Sequence, residues 1–253
     1  PGLYRQMLKY NDLRAFDLSS LRHGLTAGEA LNVALLEQWR TTTGKELYEA
    51  LGMSECSTYI SSPPGRPIRP GSPGQAQPGR CVAILPVESG CDPLPPGEIG
   101  LLAVHRSDPG LMLGYWNRPD EEDLVYRGDW FIGGDLAHFD TDGYLHYHGR
   151  NDDVMNAMGY RVSPLEVEQC LSRHPAVAEA AVTEVPVREG VTVIAAFIVP
   201  RDPDEMDAAP LLAYAHEHLA AYKCPREIIF INSLPRTANG KVRRRDLARE
   251  LPH

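Results

Sequence analysis

The sequence predicts an α+β protein, in which an irregular, small β-barrel-like subdomain precedes a small, mobile α+β C-terminal domain. Short apolar runs of strand length, separated by turn residues, fill the centre of the chain and indicate the β subdomain. After Gly149 the pattern changes to strands and amphipathic helices within about a hundred residues, a common domain size. The expected division is therefore residues 1–149 and residues 150–253.

The composition is typical of a soluble globular protein. Of the 253 residues, 43% are hydrophobic and 23% are charged, and the formal net charge is −9. This acidic balance argues against a broad nucleic-acid surface. No apolar stretch is long enough to cross a bilayer, so we expect no membrane span. The five scattered cysteines contain no C-x-x-C pair and favour reduced thiols in a cytoplasmic protein. Nothing in the sequence indicates an oligomeric state.

Local patterns assign the first third of the chain. Residues 25–40 are predicted to form a helix, and residues 45–59 a strand, a turn and a second strand. The string TTTGK at residues 41–45 looks like a phosphate-binding loop, but we interpret Gly44 as the C-cap of the preceding helix. Proline and glycine dominate residues 61–80, which should therefore run as extended loops.

Short strands are predicted next. Asp142 and Gly143 form a strong hairpin-turn signal between the last two of them. The predicted strands cover residues 81–86, 98–106, 130–140 and 144–148.

The C-terminal part alternates strands and helices. Ser163, Pro164 and Glu166 are typical of a capping box, with proline in the first helical position, and predict a helix to about residue 173. Further strands are predicted at residues 177–185, 191–199 and 227–231, and an amphipathic helix at residues 208–222.

Two runs contain residues suited to chemistry, at residues 133–168 and 234–247. In the first, Asp135 follows Gly133 and Gly134, whose missing side chains let a ligand approach the backbone. A carboxylate there can accept hydrogen bonds from both hydroxyls of a ribose. An ordinary turn aspartate is the alternative, and Arg150, at the end of the same hairpin, favours the ligand interpretation.

The second run presents a lone lysine. Lys241 follows Asn239 and Gly240, a turn pair that places it on a tight loop. Such a lysine is either simply solvated or a point charge for a phosphate. Carboxylates for sugar hydroxyls, cations for phosphate and glycine-rich joints between them indicate a nucleotide site on a jointed protein.

Both runs resemble, nearly residue for residue, the C-terminal signature motifs of the adenylate-forming superfamily. That superfamily contains acyl-CoA synthetases, luciferases and peptide-synthetase adenylation domains. The resemblance covers most of the chain, and several ordered motifs are far more specific than one. The matching segments are AGEA at residues 27–30, LGMSE at residues 51–55, Gly134-Asp135, GRNDDVMNAMGYRV at residues 149–162 and PRTANGKVRR at residues 235–244.

The resemblance implies a set of nucleotide contacts. Lys241 would be the catalytic residue, placing its charge between the attacking carboxylate and the α-phosphate. Glu55 would hold Mg²⁺, a hard ion that prefers oxygen ligands. The other implied contacts are Gly28 and Glu29 to the adenine, Ser54 to the α-phosphate, and Asp135 and Arg150 to the ribose.

The resemblance also implies a moving joint. Asp152 matches the hinge position, where the family rotates its small domain between the two half-reactions. In the rotated state Gly159 would let the pantetheine thiol pass close to the backbone, with Arg161 nearby. A plain turn glycine is the alternative for Gly159.

Some residues depart from the pattern. Leu51 stands where the family often has a tyrosine that stacks on adenine, so the stack is weaker or supplied elsewhere. Ser54 replaces threonine and keeps the hydroxyl group. His146 and His148 lie on one face of a predicted strand and His138 sits across the hairpin, but without a further ligand at metal spacing we interpret them as structural.

The expected function is that of an ATP-dependent acyl-CoA synthetase, of which this chain would be the C-terminal part. Such an enzyme converts a small carboxylic acid and ATP to acyl-AMP and pyrophosphate, and then forms a thioester with coenzyme A, with Mg²⁺ assisting. The chain alone is expected to be inactive, because the phosphate loop and most of the acyl pocket would lie upstream. One alternative is a domain that activates an amino or aryl acid for a carrier protein, and another is a non-catalytic nucleotide-binding module. The basic run at residues 241–249 is either a solvated helix face or an attraction for the phosphates of coenzyme A.

Overall fold

The chain divides into two compact units, Pro1–Tyr147 and His148–His253. The structure is a computed structural model that describes residues 1–157, 160–188, 191–202, 207–237 and 241–247. Among these residues no helix combines the length and apolar character that crossing a bilayer requires.

One nine-stranded sheet organises the first unit, in the order β1-β2-β3-β4-β9-β8-β6-β5, with β7 paired to β8. Its strands are β1 His23–Ala27, β2 Glu46–Met53, β3 Ser57–Ser61, β4 Gly74–Ala76, β5 Val82–Leu85, β6 Gly100–His105, β7 Tyr126–Arg127, β8 Trp130–Phe139 and β9 Tyr144–Arg150. β1 and β2 run parallel, whereas β5, β6 and β8 are antiparallel neighbours. The α+β class is confirmed. The barrel-like arrangement is wrong for the described strands, because a barrel requires its two end strands to pair and here β1 and β5 end an open order.

Three helices accompany this sheet: α1 Gly2–Tyr10, α2 Val33–Thr43 and α3 Pro119–Val125. α2 begins at Asn32, whose side chain accepts a hydrogen bond from the Ala34 N–H. It ends at Gly44, which adopts φ +67° and confirms the predicted C-cap. The helix predicted over residues 25–40 therefore starts too early. Residues up to Ala27 pair with β2 as a strand, and Gly28 then turns the chain with φ +94°.

The core of the first unit has two parts. One lies under α2, where Leu36 and Trp39 pack with Leu47 of β2. The other lies on the central strands and contains Tyr59 and Leu145 among its buried residues. The first part therefore holds β2 and the second holds β3, the strands on either side of the turn at residues 54–56.

An ion pair stabilises the loop after β6. The Asp108 side chain is fully buried, with 0% exposure, and accepts a hydrogen bond from Arg80 at 2.6 Å. The backbone N–H groups of Cys81 and Gly110 also donate to it. A Cβ at Gly110 would lie 1.7 Å from an Arg80 nitrogen, so a larger residue here would displace the Arg80 side chain from Asp108. The loop that continues to Met112 is thus fixed at its base.

A buried carboxyl group joins β2 to the start of α2. Glu49 is 8% exposed and accepts a hydrogen bond from the Leu31 N–H at 3.1 Å. Burial outweighs this bond and raises the pKa of Glu49 to about 7. A carboxyl group whose pKa rises on folding binds its proton more tightly in the folded chain. Its contribution to stability is therefore lost as pH increases from 4.5 to about 7.

We expect Glu49→Gln to remove this pH dependence, because an amide does not ionise. At pH 8 the free energy of unfolding should rise by about 1–3 kcal/mol, measured by urea unfolding of the chain between pH 4.5 and 8. Glu46→Gln is the matched control, since Glu46 lies on the same strand and its side chain is 45% exposed beside Arg40. Parallel pH profiles for the unmodified chain and Glu49→Gln would contradict the assignment.

The second unit packs helices on a three-stranded sheet, in the order β12-β13-β14. β12 and β13 are antiparallel, and β13 and β14 are parallel. Its elements are β10 Met155–Ala157, β11 Tyr160–Val162, α4 Pro164–Leu171, β12 Val177–Arg188, β13 Val191–Pro200, α5 Ala208–His218, β14 Glu227–Phe230 and α6 Arg244–Leu247. The predicted strands are confirmed, while α5 is shorter than predicted.

The predicted capping box is wrong in its contacts. Ser163 precedes α4, but its hydroxyl group donates to the His148 carbonyl oxygen at 2.5 Å instead of capping the helix. Glu166 pairs with Lys223 at 2.6 Å. Both side chains thus bind residues that are distant in sequence instead of the N-terminal N–H groups of α4. A sequence pattern does not reveal such distant partners.

Candidate active site

The strand β8 approaches residues 51–55 closely. A Cβ at Gly133 would lie 2.9 Å from the Met53 sulfur, so the backbone of β8 passes close to that side chain. Gly134 follows with φ +84°, a conformation that favours glycine. The two glycines therefore bring the strand that bears Asp135 against the segment that bears Ser54 and Glu55.

Asp135 is oriented by a tyrosine from the neighbouring strand. The Tyr147 hydroxyl donates a hydrogen bond to Asp135 Oδ1 at 3.0 Å. The sequence motifs do not include Tyr147. The hairpin register does indicate it, because the Asp142-Gly143 turn makes Asp135 and Tyr147 diagonal neighbours on one face of the hairpin. A half-buried carboxylate held in this way is suited to accept hydrogen bonds from vicinal hydroxyl groups.

Residues 54–56 form a tight turn between β2, which ends at Met53, and β3. A Cβ at Gly52 would lie 2.5 Å from the Ser57 carbonyl oxygen, and Ser57 itself adopts φ +57°. The turn leaves Ser54 exposed and Glu55 half-buried. An exposed hydroxyl beside a partly shielded carboxylate is a donor set suited to a phosphate and its counterion.

Glu55 is held by the loop that Asp108 fixes. The Tyr115 hydroxyl donates to Glu55 Oε1 at 2.9 Å, and the Met112 N–H donates to the Glu55 carbonyl oxygen at 2.6 Å. Burial, and then the negative charge of Glu55, raise the pKa of Tyr115 to about 12. Tyr115 therefore remains a neutral donor at physiological pH. Nothing in the sequence pattern pointed to this residue.

The predicted adenine contacts lie in the turn after β1. A Cβ at Gly28 would meet nothing within 4 Å, so the backbone there is open to approach. The Glu29 carboxylate forms an ion pair with Arg5 at 2.5 Å. A contact of Glu29 with a base would accordingly be made by its backbone.

Three predicted residues meet at the joint in the second unit. Arg150 Nε donates to Asp152 Oδ1 at 3.0 Å, and Arg161 donates to the Asn151 side-chain oxygen at 2.5 Å. Burial acts to raise the pKa of Asp152, but the hydrogen bond and charge of Arg150 outweigh it and lower that pKa. Asp152 is therefore ionised at neutral pH. Gly159 lies outside the described residues.

Lys241 is exposed and is hydrogen-bonded to Thr237. The Thr237 N–H donates to the Lys241 carbonyl oxygen at 2.8 Å, and the Lys241 N–H donates to Thr237 Oγ1 at 3.1 Å. Arg236 and Val242 form the adjoining antiparallel bridge. Asn239 and Gly240, the predicted turn pair, lie outside the described residues.

His138 and His146 form a stacked pair, with ring centroids 4.8 Å apart. His146 also lies 3.3 Å from Asp140. Within the described residues, no group of three or more His, Cys, Asp or Glu side chains is arranged to hold a metal ion. These contacts support the structural interpretation of the two histidines.

Two protein families match the chain. Residues 1–116 match the AMP-binding enzyme family, and residues 166–241 match the AMP-binding enzyme C-terminal domain. The human mitochondrial acyl-coenzyme A synthetase ACSM5 is 40% identical over 257 residues, which cover 98% of this chain and 44% of that protein.

Solved structures agree with the sequence matches. ATP-bound MatB from Rhodopseudomonas palustris is similar at a TM-score of 0.91 and 31% identity, over 98% of this chain and 49% of that one. The anthranilate CoA ligase AuaEII in complex with anthranoyl-AMP is similar at a TM-score of 0.84 and 36% identity, over 96% and 47%. The chain thus spans less than half the length of each of these relatives.

Proposed function

Because the chain belongs to the adenylate-forming family of AMP-binding enzymes, we propose that it is the C-terminal portion of an ATP-dependent acyl-CoA synthetase. The full-length enzyme would convert a small carboxylic acid and ATP to acyl-AMP and pyrophosphate, and then transfer the acyl group to coenzyme A. The observation that carries this proposal is the close approach of Gly133 to Met53. It supports one site in which the Asp135 carboxylate would bind the sugar, the Ser54 hydroxyl the phosphate and the Glu55 carboxylate a metal ion.

Each side chain would have a role in adenylation. Asp135, oriented by Tyr147, would accept hydrogen bonds from the ribose hydroxyls, and Ser54 would donate to the α-phosphate. The Glu55 carboxylate offers the oxygen ligand that Mg²⁺ prefers, and the ion would neutralise phosphate charge. Lys241 would add a positive charge where the acid attacks the α-phosphate. Nucleotidyl transfer needs mainly such positioning and charge neutralisation.

The remaining roles concern the adenine, the joint and the thiol. Gly28 and Glu29 would line the adenine, and Arg150 would contact the ribose once it leaves Asp152. Residues 1–149 would end the large AMP-binding domain, and residues 150–253 would form a mobile lid that turns at Asp152. Gly159 and Arg161 would lie beside the pantetheine in the rotated state. The chain alone is expected to be inactive, and its cytoplasmic location stays a prediction.

A panel of carboxylic acids tests the proposal. The full-length protein should release pyrophosphate with ATP, Mg²⁺ and at least one acid, and should form the thioester with free coenzyme A. Transfer only to a phosphopantetheinyl carrier would favour the carrier-dependent alternative instead. Binding of AMP in calorimetry without pyrophosphate release from any acid would indicate a non-catalytic module.

We expect Tyr115→Phe to weaken the metal site, because Glu55 loses the hydroxyl that orients it. In the full-length enzyme the Mg²⁺ concentration for half-maximal adenylation should rise by about 10- to 100-fold, the loss of roughly one hydrogen bond to a charged group. Tyr126→Phe is the control, since Tyr126 packs against Phe131 and Arg106 instead of Glu55. An unchanged Mg²⁺ dependence would contradict the assigned role of Tyr115.

A further inference from the structure

Arg244 makes an extensive set of polar contacts three residues after Lys241. Its Nε and one terminal nitrogen donate to the two oxygens of Glu168, at 3.0 and 2.8 Å. The other terminal nitrogen donates to Asp153 Oδ2 at 3.2 Å. One guanidinium group therefore binds two carboxylates, and it binds the first of them in a bidentate manner that lysine cannot reproduce.

The Glu168 carboxylate is a rigid anchor. Its side chain is only 10% exposed, and its Oε1 also accepts a hydrogen bond from the Val182 N–H at 2.9 Å. Glu168 lies on α4 and Val182 on β12, so the anchor is built into the packed part of the second unit. A buried carboxylate needs a paired cation, which Arg244 supplies.

Two apolar contacts hold the same segment. Leu247 of α6 has 0% exposure and belongs to the cluster on one face of the sheet, and Val242 packs against that cluster. The exposed Lys241 therefore precedes three successive attachments, at Val242, Arg244 and Leu247. The attachments leave the lysine side chain in solvent and restrain its backbone.

The contact with Asp153 links this segment to the joint. Asp152 is paired with Arg150, which precedes it, whereas the next residue, Asp153, is paired with Arg244. Adjacent carboxylates in one short 3-10 helix thus have partners from different parts of the chain. A backbone rotation at Asp152 would leave Asp153 attached to the segment that bears Lys241.

We infer that Arg244 is a positioning residue for Lys241, with Glu168 and Asp153 as its two anchors. The inference rests on the proposed adenylation function and extends it. Arg244 holds the lysine backbone at a constant place within the small unit, and it carries the rotation at Asp152 directly to that lysine. The effect of its loss should fall on the half-reaction that uses Lys241.

The test compares Arg244→Lys with Arg243→Lys in the full-length enzyme. The control makes the same chemical change one residue away, where the arginine is exposed and pairs locally with Asp246. Arg244→Lys should slow adenylate formation by about 10- to 100-fold, as expected for a displacement near 1 Å, with little change in the KM for ATP. Thioester formation from supplied acyl-adenylate should stay within about threefold, and Arg243→Lys should resemble the unmodified enzyme in both steps.

Hydrogen exchange gives a second readout that does not depend on turnover. The Thr237 amide is hydrogen-bonded to the Lys241 carbonyl oxygen, and the Lys241 amide to Thr237 Oγ1. Both amides should exchange about tenfold faster in Arg244→Lys than in Arg243→Lys. Equal losses in both half-reactions, or exchange rates that match the control, would overturn the inference.

Two further outcomes separate this inference from the proposed function. If the unmodified enzyme forms adenylate and Arg244→Lys forms it as fast, only the positioning role fails. If the unmodified enzyme forms no adenylate with any acid, the proposed function fails and the inference with it. If Arg244→Lys does not fold, Asp153→Asn provides the test, because it weakens one charged hydrogen bond of Arg244. Adenylation slowed by about 3- to 10-fold would support the positioning role, and an unchanged rate would overturn it.

Discussion

Replacing Lys241 by alanine in the full-length enzyme is expected to slow acyl-adenylate formation by about 100- to 1,000-fold, the usual effect of removing one preorganised group that stabilises developing charge. The lysine would act as a point charge between the acid and the α-phosphate. Thioester formation from supplied acyl-adenylate should change by less than about threefold, because the joint would have turned the lysine away by then.

The two half-reactions are measured separately, by pyrophosphate release and by thioester formation from synthetic acyl-AMP. Lys9→Ala serves as the control, since Lys9 is an exposed lysine of α1. A loss of equal size in both half-reactions would refute the proposed rotation at Asp152. A wild-type rate of adenylation would remove Lys241 from the mechanism.

Asp108→Ala is expected to lower the free energy of unfolding by about 3–5 kcal/mol, because it leaves Arg80 without its buried partner. The carboxylate has 0% exposure and accepts hydrogen bonds from Arg80, Cys81 and Gly110. Urea unfolding of the chain measures the change. Glu121→Gln is the control, since it breaks an ion pair whose two side chains are 63% and 49% exposed and should change stability by less than about 1 kcal/mol.

The same aspartate has a predictable pH dependence. Burial acts to raise the pKa of Asp108, but the hydrogen bonds from Gly110, Arg80 and Cys81 outweigh it and lower that pKa below 3.8. Its contribution to stability is therefore complete above pH 3.8 and is lost as pH falls through the lowered pKa. An acid-unfolding midpoint that is the same in Asp108→Ala and the unmodified chain would contradict this assignment.

Replacing Asp108 should also disturb the position of Glu55. The loop that it fixes carries Met112 and Tyr115, which both bind Glu55. The proposed metal carboxylate would thus depend on an ion pair that lies outside the five motif segments on which the resemblance rests.

Local signals in the sequence predicted those elements that local chemistry controls. The Asp142-Gly143 turn produced the hairpin of β8 and β9, because this pair suits a tight reversal of the chain. Gly44 ended α2 for the same kind of reason, since it can adopt a positive φ. The start of α2 was misplaced because residues 25–27 gain their structure by pairing with β2, a partner distant in sequence.

The sequence by itself determined the two-part α+β organisation and the motifs that identify the family, since both are carried by residue types in a fixed order. Only the tertiary structure decided which polar groups hold those motifs in place. Tyr115 reaches Glu55 across 60 residues, and Arg244 reaches Asp153 across 91. Such pairs leave no periodic trace in the sequence, because their proximity depends on how sheets and helices pack.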